Sequence, residues 1–186
     1  MRRKESLFYG AGALGKDLVY GFVAGYVLFY LNDIVGISAL FLGTLFLFAR
    51  AFDALNDPIM GMVVENTRSK FGKFRPWIFI GTVTNAIVLV LLFTVPDIGM
   101  TQMKIYVSAL YILWGVTYTL MVILYGSMIP ALSVGQKDSE IIAVVAGVFA
   151  GIGCAIVTGA TVHFVKLLGN VNDHTAYSLC SMVIAV

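Results

Sequence analysis

Arg50, Asp53 and Asp57 fall within "FARAFDALNDPIMG", residues 48–61, in the middle of a long apolar segment. Their three- and four-residue spacings place all three on one face of a helix. At ~1.5 Å per residue, Asp53 lies roughly 20 Å from the segment's outer end, near the centre of a ~30 Å hydrocarbon core. Lys16 and Asp17 lie at a similar depth in the preceding apolar segment. An Asp or Arg at mid-membrane costs ~2.5–3.5 kcal/mol on insertion scales, so four such groups cost on the order of 10 kcal/mol if unpaired. They must therefore gather together or face a water-filled cavity. An ion pair between Arg50 and Asp53 would be one bland solution. The count argues for more: three carboxylates against Arg50 leave two negative charges, or one if Lys16 joins. A cation entering from solution would balance that surplus. Pro58 has no N–H, which frees the carbonyl of Ala54. Carbonyl, carboxylate and the neighbouring Asn56 amide offer the oxygen ligands that a hard cation takes. A proton on Asp53 or Asp57 would serve equally well, and the sequence does not choose between sodium and proton.

The rest of the chain supplies spans to hold these groups. Of its 186 residues, 60% are hydrophobic and 12% charged, with a mean hydropathy of +0.94. Soluble domains are nearer half apolar and a quarter charged, so this is the composition of an integral membrane protein. Five apolar segments are long enough to cross a bilayer, over residues 7–31, 38–65, 76–95, 105–129 and 140–168. A sixth begins near residue 176 and reaches 186, too short to span, so the fold expected is all-α with five full transmembrane helices and an incomplete sixth. Basic residues cluster before the first segment (Arg2, Arg3, Lys4), after the second (Arg68, Lys70, Lys73, Arg75) and after the fourth (Lys137); Lys104 and Lys166 are alone on the other side. By the positive-inside rule the N-terminus and those two links are cytoplasmic. Tyr20, Tyr26, Tyr30, Trp77 and Tyr106 are candidate interface anchors or core residues. Gly21 and Gly25, and Gly147 and Gly151, have the spacing that lets helices approach closely in lipid.

Several chemistries are disfavoured. A net charge of +2 gives no nucleic-acid footprint. Cys154 and Cys180 lie in apolar runs with no metal or disulfide spacing, and are expected to be buried thiols. "GAGALG", residues 10–15, fits a dinucleotide-binding glycine pattern but lacks the strand that gives the pattern meaning. His163 is alone in its segment and is expected to pack or hydrogen-bond. No nucleophile–base pair or metal cluster marks an enzyme, and no cofactor is expected beyond a coupling ion.

The stretches "YGAGALGKD", "LFLFARAFDALNDPIMG", "NTRSKFGKFRPWIFIGT" and "YILWGVTYTLM" resemble the glycoside–pentoside–hexuronide:cation symporters, a branch of the major facilitator superfamily. The resemblance is strong over residues 7–121 and thins afterwards. It implies the N-terminal half of a twelve-helix transporter of the bacterial inner membrane, whose partner is the missing C-terminal half and whose substrates are a sugar or glycoside and a monovalent cation. It assigns Asp53, Asp57, Asn56 and Thr119 to the cation site, with Asp53 and Asp57 holding the ion if it is sodium. It assigns Asp17, Lys16, Arg50 and Tyr118 to the sugar cavity. Arg68, Lys70, Gly72, Lys73 and Arg75 fall on a cytoplasmic gate between the second and third helices.

The departures from the family pattern are local. Val122 stands where a sugar-transporting member carries aspartate, Gly126 where it carries tryptophan, and Gly147 where it carries arginine; Leu124 replaces a recurrent proline. The fourth- and fifth-helix side of the sugar site is eroded, while the cation side is intact. The leading expectation is sugar–cation symport. A non-sugar solute on the same fold is the alternative, followed by a truncated remnant or assembly partner that carries nothing. The orientation is testable directly. An impermeant maleimide is expected to label Ser69→Cys only from the cytoplasmic side and Asp97→Cys only from the opposite side; the reverse pattern would invert the topology.

Overall fold

The computed structural model describes residues 3–67, 74–133, 135–167 and 173–185. Among them run six α-helices: α1 (Arg3–Phe29), α2 (Ala39–Asn66), α3 (Arg75–Leu92), α4 (Met100–Leu132), α5 (Gln136–Leu167) and α6 (Asp173–Ala185). A π-helical turn, Tyr30–Ile34, prolongs α1, so the first rod extends beyond the segment read from hydropathy. The stretches 7–34, 39–66, 100–130 and 136–166 are long and apolar enough to cross a membrane. The apolar part of α3, Pro76–Leu92, is shorter, at the low end of the ~17–25 residues that suffice. The sixth helix starts three residues before the point expected, at Asp173. Gly36, at φ 84, makes the turn into α2, a backbone region where glycine carries no steric penalty.

Lipid removes the usual reason for apolar side chains to point inward, and the surface shows it. Phe8, Leu40 and Leu47 are 78%, 82% and 77% exposed, as suits faces turned to acyl chains or to further protein. The helices are held instead by close packing. The most extensive interface is α1 against α5, followed by α3 and α2 against α4. At the first, a Cβ on Gly153 would stand 2.9 Å from the Leu14 carbonyl oxygen, and one on Gly21 would stand 3.2 Å from the Cys154 Cα. Absence of side chains here lets two backbones meet. The four-residue glycine pairs are only partly responsible, because Gly25, Gly147 and Gly151 meet nothing within 4 Å. Gly153 is the partner that spacing alone did not single out. The "GAGALG" glycines lie inside α1, where Gly10 accommodates the Phe149 ring.

One end of the bundle is closed by a polar knot. The fully buried Tyr30 hydroxyl donates to the Phe93 carbonyl at 2.9 Å and lies 3.0 Å from His174 Nε2, which is also 3.0 Å from the Val95 carbonyl. Thr94 and Ser178 hydroxyls bond at 2.7 Å. These contacts join the end of α1, the α3–α4 link and the start of α6, around a core that includes Phe22, Leu31, Leu89 and Phe93. At the opposite end Tyr9 donates to the Tyr125 carbonyl at 2.6 Å, and Trp77 Nε1 donates to Thr67 Oγ1 at 2.9 Å. The aromatic residues read as possible interface anchors thus make internal contacts: Tyr26 bonds Thr158 and Tyr106 bonds Leu91 through their carbonyls. His163 is exposed on α5, contrary to the expectation that it packs, because it lies off the strip that α5 turns to α1.

Gly153→Ala is expected to destabilise the purified protein in detergent by roughly 1–3 kcal/mol, since the obstacle is backbone and cannot rotate away. Gly159→Ala, with open space around it, is expected to leave the melting temperature unchanged or raise it slightly. Equal melting of the two variants would contradict the close α1–α5 approach.

Candidate functional site

The charged face of α2 is turned to α4. Residues Arg50, Asp53 and Asp57 from α2 line a cavity of about 200 Å³ with Trp114, Gly115, Tyr118, Thr119, Val122 and Ile123 from α4 and Tyr20 from α1. The helical spacings on the two sides match, so successive turns of α2 meet successive turns of α4. Gly115 sets the distance at the centre. A Cβ there would lie 3.0 Å from Asp53 Oδ1, and the carboxylate occupies the space the missing side chain leaves. Arg50 Nη1 stands 3.9 Å from Asp53 Oδ2, with the Arg50 side chain 68% exposed and Asp53 21%. This is a loose pair with its cation reaching toward the open side. Asp57 is exposed in the same cavity, and Pro58 follows it inside α2 without ending the helix.

The second cluster is tighter. Lys16 Nζ lies 2.8 Å from Asp17 Oδ1, and both side chains are nearly buried. Lys16 also donates to the Tyr118 hydroxyl at 3.3 Å, and that hydroxyl donates to Asp17 Oδ1 at 3.3 Å. Lys16 lies 5.3 Å from the Tyr118 ring centroid, within cation–π range. The Cys154 thiol donates to the Asp17 carbonyl at 3.4 Å. Lys16 thus satisfies Asp17, and the open arithmetic of the sequence resolves: Arg50 faces Asp53 and Asp57, leaving one negative charge in the cavity.

Of the residues expected at a cation site, Asp53, Asp57 and Thr119 share this cavity. Asn56 does not line it; its Nδ2 is buried without a hydrogen-bond partner. Of those expected at a sugar site, Arg50 and Tyr118 line the same cavity, while Lys16 lines a neighbouring one of about 560 Å³ between α1, α3, α4 and α6. Tyr118 therefore touches both groups. Arg68, Lys70, Gly72 and Lys73 lie outside the described residues, and Arg75 opens α3 with its side chain outside them as well. Gly147 is exposed with open space about it, and Val122 is 41% exposed in the cavity wall. Among the described residues no group of three or more His, Cys, Asp or Glu is placed to hold a metal ion. Two carboxylates beside one guanidinium suit a singly charged ion better than a divalent one.

Sequence reasoning missed Tyr20, Trp114 and Gly115. Tyr20, expected as an interface anchor or a core residue, stacks its ring on Tyr118 at 5.1 Å and on Trp114 at 6.4 Å. The available signal was the spacing of Tyr111, Trp114 and Tyr118, which aligns three aromatic rings on one face of α4.

A sequence profile described as "MFS/sugar transport protein" matches residues 8–186. The chain belongs to the MFS sugar-transport family. Within this family the inner membrane symporter YicJ of Escherichia coli is 43% identical over 122 residues, 66% of this chain and 25% of that protein. The putative glycoside/cation symporter YagG of the same organism is 30% identical over 174 residues, 94% of this chain and 38% of that protein. The lactose permease of Lactobacillus helveticus is 36% identical over 155 residues, 76% of this chain and 24% of that protein. The chain therefore covers between about a quarter and two-fifths of these relatives. Membership of this family of transporters, together with the apolar helices, makes it a multi-pass membrane protein and bears out the resemblance read from the motifs.

The Lys16–Asp17 pair gives a test that does not depend on transport. Lys16→Met alone is expected to lower the melting temperature more than Lys16→Met combined with Asp17→Leu. Removing one partner of a buried pair costs ~3–5 kcal/mol, whereas removing both leaves no uncompensated charge. If the single and double variants melt alike, Asp17 is held by something other than Lys16.

Proposed function

We propose that the chain forms the N-terminal part of a symporter that carries a sugar or glycoside together with sodium or a proton across the bacterial inner membrane. The observation that carries this reading is the surplus carboxylate. Asp57 is exposed in a cavity where Arg50 already pairs with Asp53, and an internal ion pair needs no second acid. An incoming monovalent cation would be held between Asp53 and Asp57, with the Thr119 hydroxyl and the Ala54 carbonyl freed by Pro58 as further oxygen donors. The sugar hydroxyls would be accepted by Asp17, a strong charged acceptor, with Lys16, Tyr118 and Arg50 framing them.

The two sites would strengthen each other by linkage. An empty acidic cavity resists closure into a water-poor state; cation entry removes that cost and leaves the sugar ligands ordered, so each substrate raises the affinity for the other. A further set of helices would close the open side of the cavity, and the basic 68–75 link would gate it from the cytoplasm, with the N-terminus inside. The relatives, among them a lactose permease and a putative glycoside/cation symporter, support the sugar class.

A second reading keeps the fold and the ion and changes the cargo. Val122 lines the cavity wall with an apolar side chain where a sugar-transporting member carries aspartate, which favours a solute with fewer hydroxyls to bind.

The ion assignment is tested by uptake of labelled glycosides in membrane vesicles from cells expressing the gene. Uptake is expected to rise with sodium or with acidification outside, and Asp57→Cys is expected to abolish that dependence. Unchanged cation dependence in Asp57→Cys would remove Asp57 from the ion site. Absence of any carried solute would support the non-transporting reading.

A further inference from the structure

Two charged clusters, one around Asp17 and one around Asp53, are separated in sequence and joined in space by stacked aromatic rings. We propose that Tyr20 is the positioning residue that couples them, through its stack on Tyr118; the inference rests on the symport reading above. The rings of Tyr20 and Tyr118 lie 5.1 Å apart at 21°, a near-parallel stack. Trp114, only 5% exposed, seals the column, at 5.4 Å and 12° from Tyr118 and 6.4 Å and 18° from Tyr20. Its indole N–H is buried without an acceptor, so packing rather than hydrogen bonding holds it in place.

Tyr118 hydrogen-bonds the Asp17 cluster and borders the Asp53 cavity, which Tyr20 lines beside it. The Tyr118 hydroxyl bonds Asp17 and receives Lys16, both at 3.3 Å. Tyr20 lines the cavity with Arg50, Asp53 and Asp57. Arg50 is loosely held and free to shift within the cavity it shares with Tyr20, because its contact with Asp53 is long, at 3.9 Å, and its side chain is 68% exposed. With the cavity empty, the carboxylates draw the guanidinium. A cation between Asp53 and Asp57 cancels that attraction, and Arg50 settles on the Tyr20 hydroxyl. Tyr20 then holds the Tyr118 ring, and with it the Asp17 carboxylate, in one orientation. Packed rings transmit such a shift because there is no free space to absorb it.

The test measures coupling rather than activity alone. In vesicles from cells expressing the gene, half-saturating concentrations of labelled galactoside, xyloside and glucuronide are measured with and without sodium, and at neutral and acidic external pH. The ratio gives the coupling factor, ~5–150-fold for typical linked sites. Tyr20→Phe keeps the ring and loses the hydroxyl; it is expected to shrink the factor at least about threefold while uptake persists. Tyr20→Leu, which loses the ring, is expected to bring it near one. Tyr26→Phe is the control: its hydroxyl bonds the Thr158 carbonyl at 2.6 Å on α5, outside the stacked column, and the factor should stay at the wild-type value. A wild-type factor in both Tyr20 variants overturns the inference and leaves symport standing, with the clusters coupled through space instead. Cation-independent uptake by the wild-type protein overturns the symport reading, and the inference with it.

Discussion

An ionised side chain in hydrocarbon must find an opposite charge, a hydrogen bond or water, and the central part of this structure follows from that requirement. Lys16 and Asp17, neighbours in sequence, pair with each other and with Tyr118. Arg50 and Asp53, three apart on α2, make a longer and more open pair. Asp57 is left over, and it lies exposed at the cavity, where water can reach an unmatched carboxylate. The difference between the pairs is instructive. The closed pair is surrounded on α1 by α4 and α5; the open one faces α4 across a cavity, with the Arg50 side chain largely exposed.

Packing serves the same end. Gly153 and Gly21 draw α5 onto α1, which fixes the depth of Asp17 relative to the Cys154 thiol and the α4 rings. Gly115 draws α4 onto α2 at the level of Asp53. Glycines thus bring backbones together at the two heights where charge is buried. The Tyr30–His174 knot performs a different task, tying the end of α1, the α3–α4 link and the start of α6 together at one end of the bundle. Leu124 is fully buried with Val64 and Leu120 at the other end, whereas Val122 and Gly147 are exposed.

A small hard cation asks for oxygen donors, net negative charge and access to water, and the cavity beside α2 gathers Asp53, Asp57 and Thr119 with Arg50. Val122 gives the wall of that cavity an apolar side chain, while Lys16, Asp17 and Tyr118 form a polar cluster between α1 and α4.

Hydropathy and spacing determined, by themselves, the all-helical membrane architecture, the approximate spans and the shared face of Arg50, Asp53 and Asp57; the transporter family was legible only through the resemblance of whole motifs. Those properties are local or periodic, and one strand of text carries them: a run of apolar residues is legible without its neighbours, and a three–four spacing is a face on any helix. The tertiary structure alone decided that Lys16 neutralises Asp17, that Gly153 rather than Gly147 or Gly151 meets α1, that Asn56 stands off the cavity, and that Tyr20 belongs to the site rather than to the membrane interface. Each of these depends on which helix lies alongside which and at what height. In lipid, hydrophobic burial does not dictate that choice; it rests on close steric fit and on polar partners distant in sequence, and neither is written in the pattern of any single segment.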